Sequence, residues 1–173
     1  SEERGSAPAL PLHEEDDGRA PSVVLLASEA QNDELFKRVR DLLPDNLDGD
    51  PLLGLNRRWR MYRYNQGNRY RKHLDGSWPA SGERVGKDGK REYVFDAHEG
   101  TARSRLTFIV YLNDDFEGGA TTFFVPRPEQ EGHMEATPVK PVAGFVTVFT
   151  HGDTGDPLLH EGSPVTRGTK YIL

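Results

Sequence analysis

The sequence predicts a mainly β fold, an antiparallel barrel or jelly roll with one helix packed outside it. Two features point there. Short β-like runs recur at about 57–64, 93–96, 105–112, 120–125, 144–149 and 166–172, and Gly-, Asp- and Pro-rich connections separate them. Only one segment, ahead of these runs, carries a helical period.

Taken in order, residues 1–21 hold Pro8, Pro11, Pro21, Gly5 and Gly18 among charges with no apolar period. They read as a disordered acidic tail, with six acids against two bases in residues 1–22. Val23 to Ala27 reads as a short buried strand. Ser28 to Asn32 supplies a helix cap, and Leu35, Phe36, Val39, Leu42 and Leu43 give helical spacing that stops before Pro44. In the run Arg105 to Leu112, alternation puts Leu106, Phe108, Val110 and Leu112 on one apolar face. Arg105, Thr107, Ile109 and Tyr111 share the other face, a mixed one suited to the wall of a polar cavity. Gly76 to Tyr93, with four glycines and no apolar period, reads as an 18-residue loop, a lid or a binding loop. The expected organisation is the tail 1–21 followed by a single domain, 22–173.

Composition narrows the function. The 173 residues include no Cys, which excludes disulfides, zinc–thiolate sites, iron–sulfur clusters and a thiol nucleophile. No apolar run approaches the ~18 residues of a membrane span. The net charge of −6 argues against nucleic acid as a partner. With no visible signal peptide and no cysteine, the cytoplasm is the expected compartment.

The chemistry starts at His73-Leu74-Asp75. Residues i and i+2 of an extended segment point the same way, so His73 and Asp75 can share a metal. A second His must come from elsewhere: His13, His98, His133, His151 or His160. His160 is best placed, beyond several strands and with a cation, Lys170, ten residues on. Two His and one carboxylate on one face of a metal leave neighbouring positions open, the arrangement of non-haem Fe(II) oxygenases.

Four blocks in order carry a resemblance: Tyr64 to Asp75; Tyr111-Leu112-Asn113 followed by Gly118-Gly119-Ala120-Thr121; Pro141-Val142-Ala143-Gly144; and His160 to Lys170. From about Arg60 onward the chain resembles the prolyl 4-hydroxylase-like branch of the 2-oxoglutarate- and Fe(II)-dependent dioxygenases. The resemblance implies a double-stranded β-helix core, iron held by His73, Asp75 and His160, and Lys170 paired with the distal carboxylate of 2-oxoglutarate. It also places Tyr64 and Tyr111 along the cosubstrate pocket, with Tyr111 as the hydrogen-bond donor. The implied cofactors are Fe(II), 2-oxoglutarate as cosubstrate and O2. The implied reaction hydroxylates a C–H bond, of a prolyl or other residue in a polypeptide, and releases succinate and CO2. Asp75 fills the position that related halogenases leave empty for chloride. His151 is a rival distal ligand, but Glu161 stands ten residues after it and would repel 2-oxoglutarate.

The physics of Lys170 agrees with its implied role, because a dianion held partly out of water needs a compensating cation. The same chemistry on a small molecule is the first alternative. A zinc hydrolase with the same three ligands, or a non-catalytic jelly-roll binding module, are readings from other classes. Arg57 to Lys72 carries seven bases and no acid, and Arg58, Arg60 and Tyr62 share a strand face with Tyr64. That face suggests a basic rim for a polypeptide substrate with acidic groups.

Overall fold

The computed structural model describes residues 20–129, 132–152 and 156–173 in full, and the backbone of 10–15. Its elements are β1 (Leu10–Glu15), β2 (Ser22–Leu26), α1 (Glu29–Val39), β3 (Asn46–Leu47), β4 (Asp50–Pro51), β5 (Arg58–Asn65), β6 (Tyr70–His73), β7 (Gly82–Val85) and β8 (Arg91–Val94). There follow β9 (Leu106–Val110), β10 (Glu117–Gly118), β11 (Thr121–Pro126), β12 (Met134–Val139), β13 (Val146–Thr150), β14 (His160–Gly162), β15 (Val165–Arg167) and β16 (Thr169–Ile172). The fold is mainly β with one short helix, as expected. Among the described residues no helix is long and apolar enough to cross a membrane.

Two compact units make up the chain. The first is built on residues 24–60 and 78–104. In it, the Ser28 hydroxyl accepts from the Gln31 amide at 3.3 Å, and the Gln31 side chain accepts from the Ser28 amide at 3.1 Å. This capping box starts α1 where the Ser28 to Asn32 segment predicts it. Buried Asn32 then ties the helix to the following segment: its amide donates to Leu55 O at 2.9 Å and its oxygen accepts from Trp59 Nε1 at 3.2 Å. Asn56 repeats the device, donating to Pro79 O at 2.9 Å and accepting from the Ser81 amide at 3.1 Å. The segment Gly76 to Tyr93 is not the structureless loop expected. It contains β7, which pairs antiparallel with β8 from Gly82↔Val94 to Val85↔Arg91. The pairing holds because Gly86 and Gly89 close a tight turn, with Gly86 N–H on Lys90 O at 2.8 Å.

The second unit is built on residues 14–23, 61–77 and 105–173. It is a two-sheet jelly roll. One sheet has the order β12-β11-β14-β6. In the other, β16 pairs antiparallel with β5, Lys170 opposite Tyr64. The Tyr111↔Ile172 bridge, with Val110 N–H on Leu173 O at 2.7 Å and Leu112 N–H on Tyr171 O at 3.0 Å, continues that sheet to β9. β13 pairs with β9 from Val146↔Val110 to Thr150↔Leu106. Ala20, Tyr64, Tyr111, Val165 and Ile172 form the buried core, flanked by Tyr62, Tyr70, Ile109 and Phe116.

Two further expectations change. Residues 10–15, inside the stretch read as a disordered tail, form β1, a neighbour of β2 in the sheet order. Ala20, also in that stretch, is buried in the core. Backbone pairing needs no side-chain period, which is why composition missed it. Residues 1–9 and 16–19 of that tail lie outside the described residues.

Asn32→Ala would remove the partner of the part-buried Leu55 carbonyl and Trp59 indole N–H, each hydrogen bond worth about 1 kcal/mol. The expected outcome is a urea midpoint lowered accordingly, with a circular dichroism spectrum unchanged at zero denaturant.

Candidate active site

The site grows from one register. β14 runs antiparallel to β6 with His160 directly opposite His73, and their ring centroids lie 4.2 Å apart. Each imidazole is oriented from behind. His73 Nδ1 contacts Arg71 O at 2.7 Å and His160 Nδ1 contacts Leu158 O at 2.9 Å. A carbonyl only accepts, so both Nδ1 atoms carry the proton and both Nε2 atoms face forward as donors to a metal. Asp75 lies two residues past the end of β6 and reaches the same point. Its Oδ1 is 3.1 Å from His73 Nε2 and its Oδ2 is 3.6 Å from His160 Nε2. The intervening Leu74 is half exposed, as the alternation predicts. The donor atoms of the three residues all lie within 4.8 Å of one another. His151 is not part of this group; its backbone N–H bonds Arg105 O at 3.2 Å.

Electrostatics favours metal binding. Burial pushes the Asp75 carboxyl up, but the adjacent His73 ring, the hydrogen bond from Thr107 and the nearby His160 outweigh it and bring the pKa down to about 2. The carboxylate is therefore ionised at neutral pH. Burial lowers the pKa of His160, which favours the neutral, metal-binding imidazole. Phe149 packs edge-on against the His160 ring at 4.6 Å, and Phe123 lies 5.9 Å from it, so this ligand is walled by apolar groups. Two neutral imidazoles and one ionised carboxylate fit a divalent iron with open neighbouring positions.

The second feature is a buried cation. Lys170 is only 2% exposed. Its Nζ donates to Gly119 O at 2.6 Å and lies 5.3 and 5.6 Å from the ring centres of Tyr64 and Tyr111. Burial alone pushes its pKa down from 10.5 to about 8, and among the described residues no carboxylate pairs with it. An ammonium kept at that cost is suited to an anionic ligand. Gly119 has φ +63, and a Cβ there would meet Lys170 Cδ at 3.2 Å and Phe116 Cε2 at 2.9 Å. Glycine is thus required both by the turn and by the lysine stem.

Tyr111, fully buried, joins the two features. Its hydroxyl donates to Thr121 Oγ1 at 2.8 Å and shares a 3.1 Å hydrogen bond with Thr147 Oγ1. Thr121 and Phe123 lie on one face of β11, so the Tyr111 contact and the His160 contact are one strand repeat apart. Sequence reasoning missed Thr107, whose hydroxyl donates to Asp75 Oδ2 at 2.6 Å. A signal was present: Thr107 shares with Tyr111 the mixed face of β9 that reads as a cavity wall.

Fold and site together define a non-haem iron oxygenase. A family model of the 2OG-Fe(II) oxygenase superfamily matches residues 59–173, and the chain belongs to that superfamily. It is a 2-oxoglutarate-dependent dioxygenase, and its cofactors are Fe(II), 2-oxoglutarate and O2. Its fold is similar to the crystal structure of the viral collagen prolyl hydroxylase vCPH from Paramecium Bursaria Chlorella virus-1 in complex with 2OG. That match has a TM-score of 0.52 and 21% sequence identity, covering 89% of this chain and 76% of the viral one. No curated protein matches the sequence.

Two predictions follow from the geometry. Thr107→Val removes the donor to Asp75 and should weaken Fe(II) or Co(II) binding about tenfold or more in an anaerobic titration. For Lys170, the folded and unfolded forms are both protonated at pH 7, so the burial cost stands in full. Between pH 8 and 10.5 the folded lysine loses its proton while the unfolded one keeps it, and the stability of the ligand-free protein rises. Lys170→Met lacks this term, so its advantage over wild type, up to about 3 kcal/mol at pH 7, should shrink across that window in denaturant titrations.

Proposed function

We propose that this enzyme hydroxylates a C–H bond in a polypeptide, at a prolyl or other residue, and converts 2-oxoglutarate and O2 to succinate and CO2. His73, Asp75 and His160 hold the iron, and Lys170 receives the distal carboxylate of 2-oxoglutarate. Bound there, the iron and its cosubstrate supply the activation of O2 that inserts oxygen into the C–H bond. The chain's own residues do the rest. The carbonyls of Arg71 and Leu158 fix the tautomers of both histidines. Thr107 holds Asp75 in its ionised, ligating form. Tyr64 and Tyr111 wall the lysine and exclude water from its charge. The observation that carries the reading is the buried, uncompensated Lys170 in the same jelly roll as the His73–Asp75–His160 group.

Two observations support a polypeptide over a small molecule. The structurally similar viral enzyme is named as a collagen prolyl hydroxylase. The first unit also presents Trp78 and Phe95 at its surface, 41% and 48% exposed and in edge contact at 6.1 Å. The guanidinium of Arg58 lies 4.6 Å, and that of Arg60 5.8 Å, from the Trp78 ring centre. An aromatic and cationic surface of this kind suits an extended peptide bearing acidic groups.

Anaerobically reconstituted protein, given O2 and a panel of proline-containing peptides with and without acidic flanks, should release succinate and add 16 mass units to the peptide. Asp75→Ala should abolish both signals. Arg58→Ala/Arg60→Ala should weaken only the acidic peptides, as should higher salt. Turnover of a small uncharged metabolite, indifferent to salt and to both arginines, would overturn the polypeptide reading.

A further inference from the structure

β9 ends at Val110, and backbone pairing with the closing strand β16 goes on through the Tyr111↔Ile172 bridge to Leu112 N–H on Tyr171 O, next to Asn113. From there the side chain of Asn113 takes up the edge of β16. Its Oδ1 accepts from the Tyr171 backbone N–H at 2.7 Å, and its Nδ2 donates to the Thr169 carbonyl at 2.7 Å. These two groups, the C=O of one residue and the N–H of the residue two further on, are the pair that a single residue of a parallel neighbouring strand would engage. The Asn113 amide therefore stands in for one backbone residue along this edge of β16. The residue between its two contacts is Lys170.

The amide's orientation is determined by this pairing, since only a donor satisfies Thr169 O and only an acceptor satisfies Tyr171 N–H. The second hydrogen of Nδ2 goes to Asp115 Oδ1 at 2.6 Å, which braces the amide from outside. On its other edge β16 is held by β5, where Lys170 faces Tyr64. Lys170 is thus pinned on both edges of its strand, and its buried ammonium is aimed at Gly119 O. Pinning matters here because a lysine stem has four rotatable bonds and its charge is costly to bury. Without both edges held, β16 can twist the ammonium toward water.

We propose that Asn113 is a positioning residue for the cosubstrate: by clamping Thr169 and Tyr171 it holds Lys170 where the distal carboxylate of 2-oxoglutarate binds. The inference rests on the assignment of Lys170 as the anchor, and the test separates the two.

Fe(II)-loaded protein is titrated calorimetrically with 2-oxoglutarate without O2, as wild type, Asn113→Ala, Lys170→Ala and the double variant. Asn113→Ala should raise the dissociation constant for 2-oxoglutarate about five- to tenfold, the scale of one or two lost hydrogen bonds. Fe(II) affinity should not change, and in turnover the KM for 2-oxoglutarate should rise with kcat nearly constant. In the Lys170→Ala background the same substitution should add nothing, because Asn113 acts through the lysine. If Asn113→Ala does not fold, Asn113→Asp takes its place: it keeps the acceptor arm but sets an oxygen against Thr169 O and Asp115, and it should raise the constant by at least as large a factor. An unchanged 2-oxoglutarate affinity, or an equal loss with and without Lys170, overturns the positioning role. Wild-type 2-oxoglutarate affinity in Lys170→Ala overturns the anchor assignment itself.

Discussion

Everything in the catalytic unit depends on the register that sets His160 against His73 across the β14–β6 ladder. Side chains alternate along a strand, so a slip of one residue would turn either imidazole to the opposite face of the sheet. The ladder is not regular there. The two pairs His160↔His73 and Gly162↔Tyr70 enclose one residue on β14 and two on β6. The local irregularity is of the kind that re-aims side chains beside functional sites. Gly162 suits this position because a Cβ would press on Tyr70 Cβ at 3.2 Å. Tyr70 in turn lies 4.4 Å from the His73 ring and backs the ligand with an aromatic surface.

The two charges of the site are handled in opposite ways. Asp75 is over-provided for: Thr107 and the imidazoles hold it ionised against burial. Lys170 is under-provided for, with a single carbonyl and two aromatic rings around an ammonium whose pKa burial has pushed down to about 8. The first arrangement keeps a ligand set ready before the metal arrives. The second leaves an electrostatic deficit that a bound anion would remove. The closing strand that carries the lysine is tied on both edges.

The candidate site residues could be picked out because chemistry limits them to few residue types. His73 and Asp75 announce themselves by i, i+2 spacing, and Lys170 by its place ten residues after His160. The helix was legible through the Ser28 cap and the apolar period, both local signals. The short strands β6, β7, β12 and β14 were not, and of β8 only the end falls within a run read from the sequence, 93–96. Their residues carry no strong alternation: β12 is exposed along nearly its whole length, and β8 is Arg-Glu-Tyr-Val. Such strands exist because a neighbour's backbone pairs with them, and a neighbour distant in sequence leaves no mark on local composition.

The amino-acid sequence by itself determined the class of chemistry: two imidazoles, a carboxylate and a lysine, in an order that an antiparallel β chain can bring together. It also marked the mixed face of β9 as a cavity wall. The sequence also favoured His160 over His151, but only the tertiary structure showed how His160 meets His73, directly opposite it across a ladder, because pairing between strands more than eighty residues apart rests on register. The tertiary structure alone showed Thr107 on Asp75 and Asn113 astride Lys170, since a hydroxyl or an amide acquires its role from what the fold sets within hydrogen-bond reach.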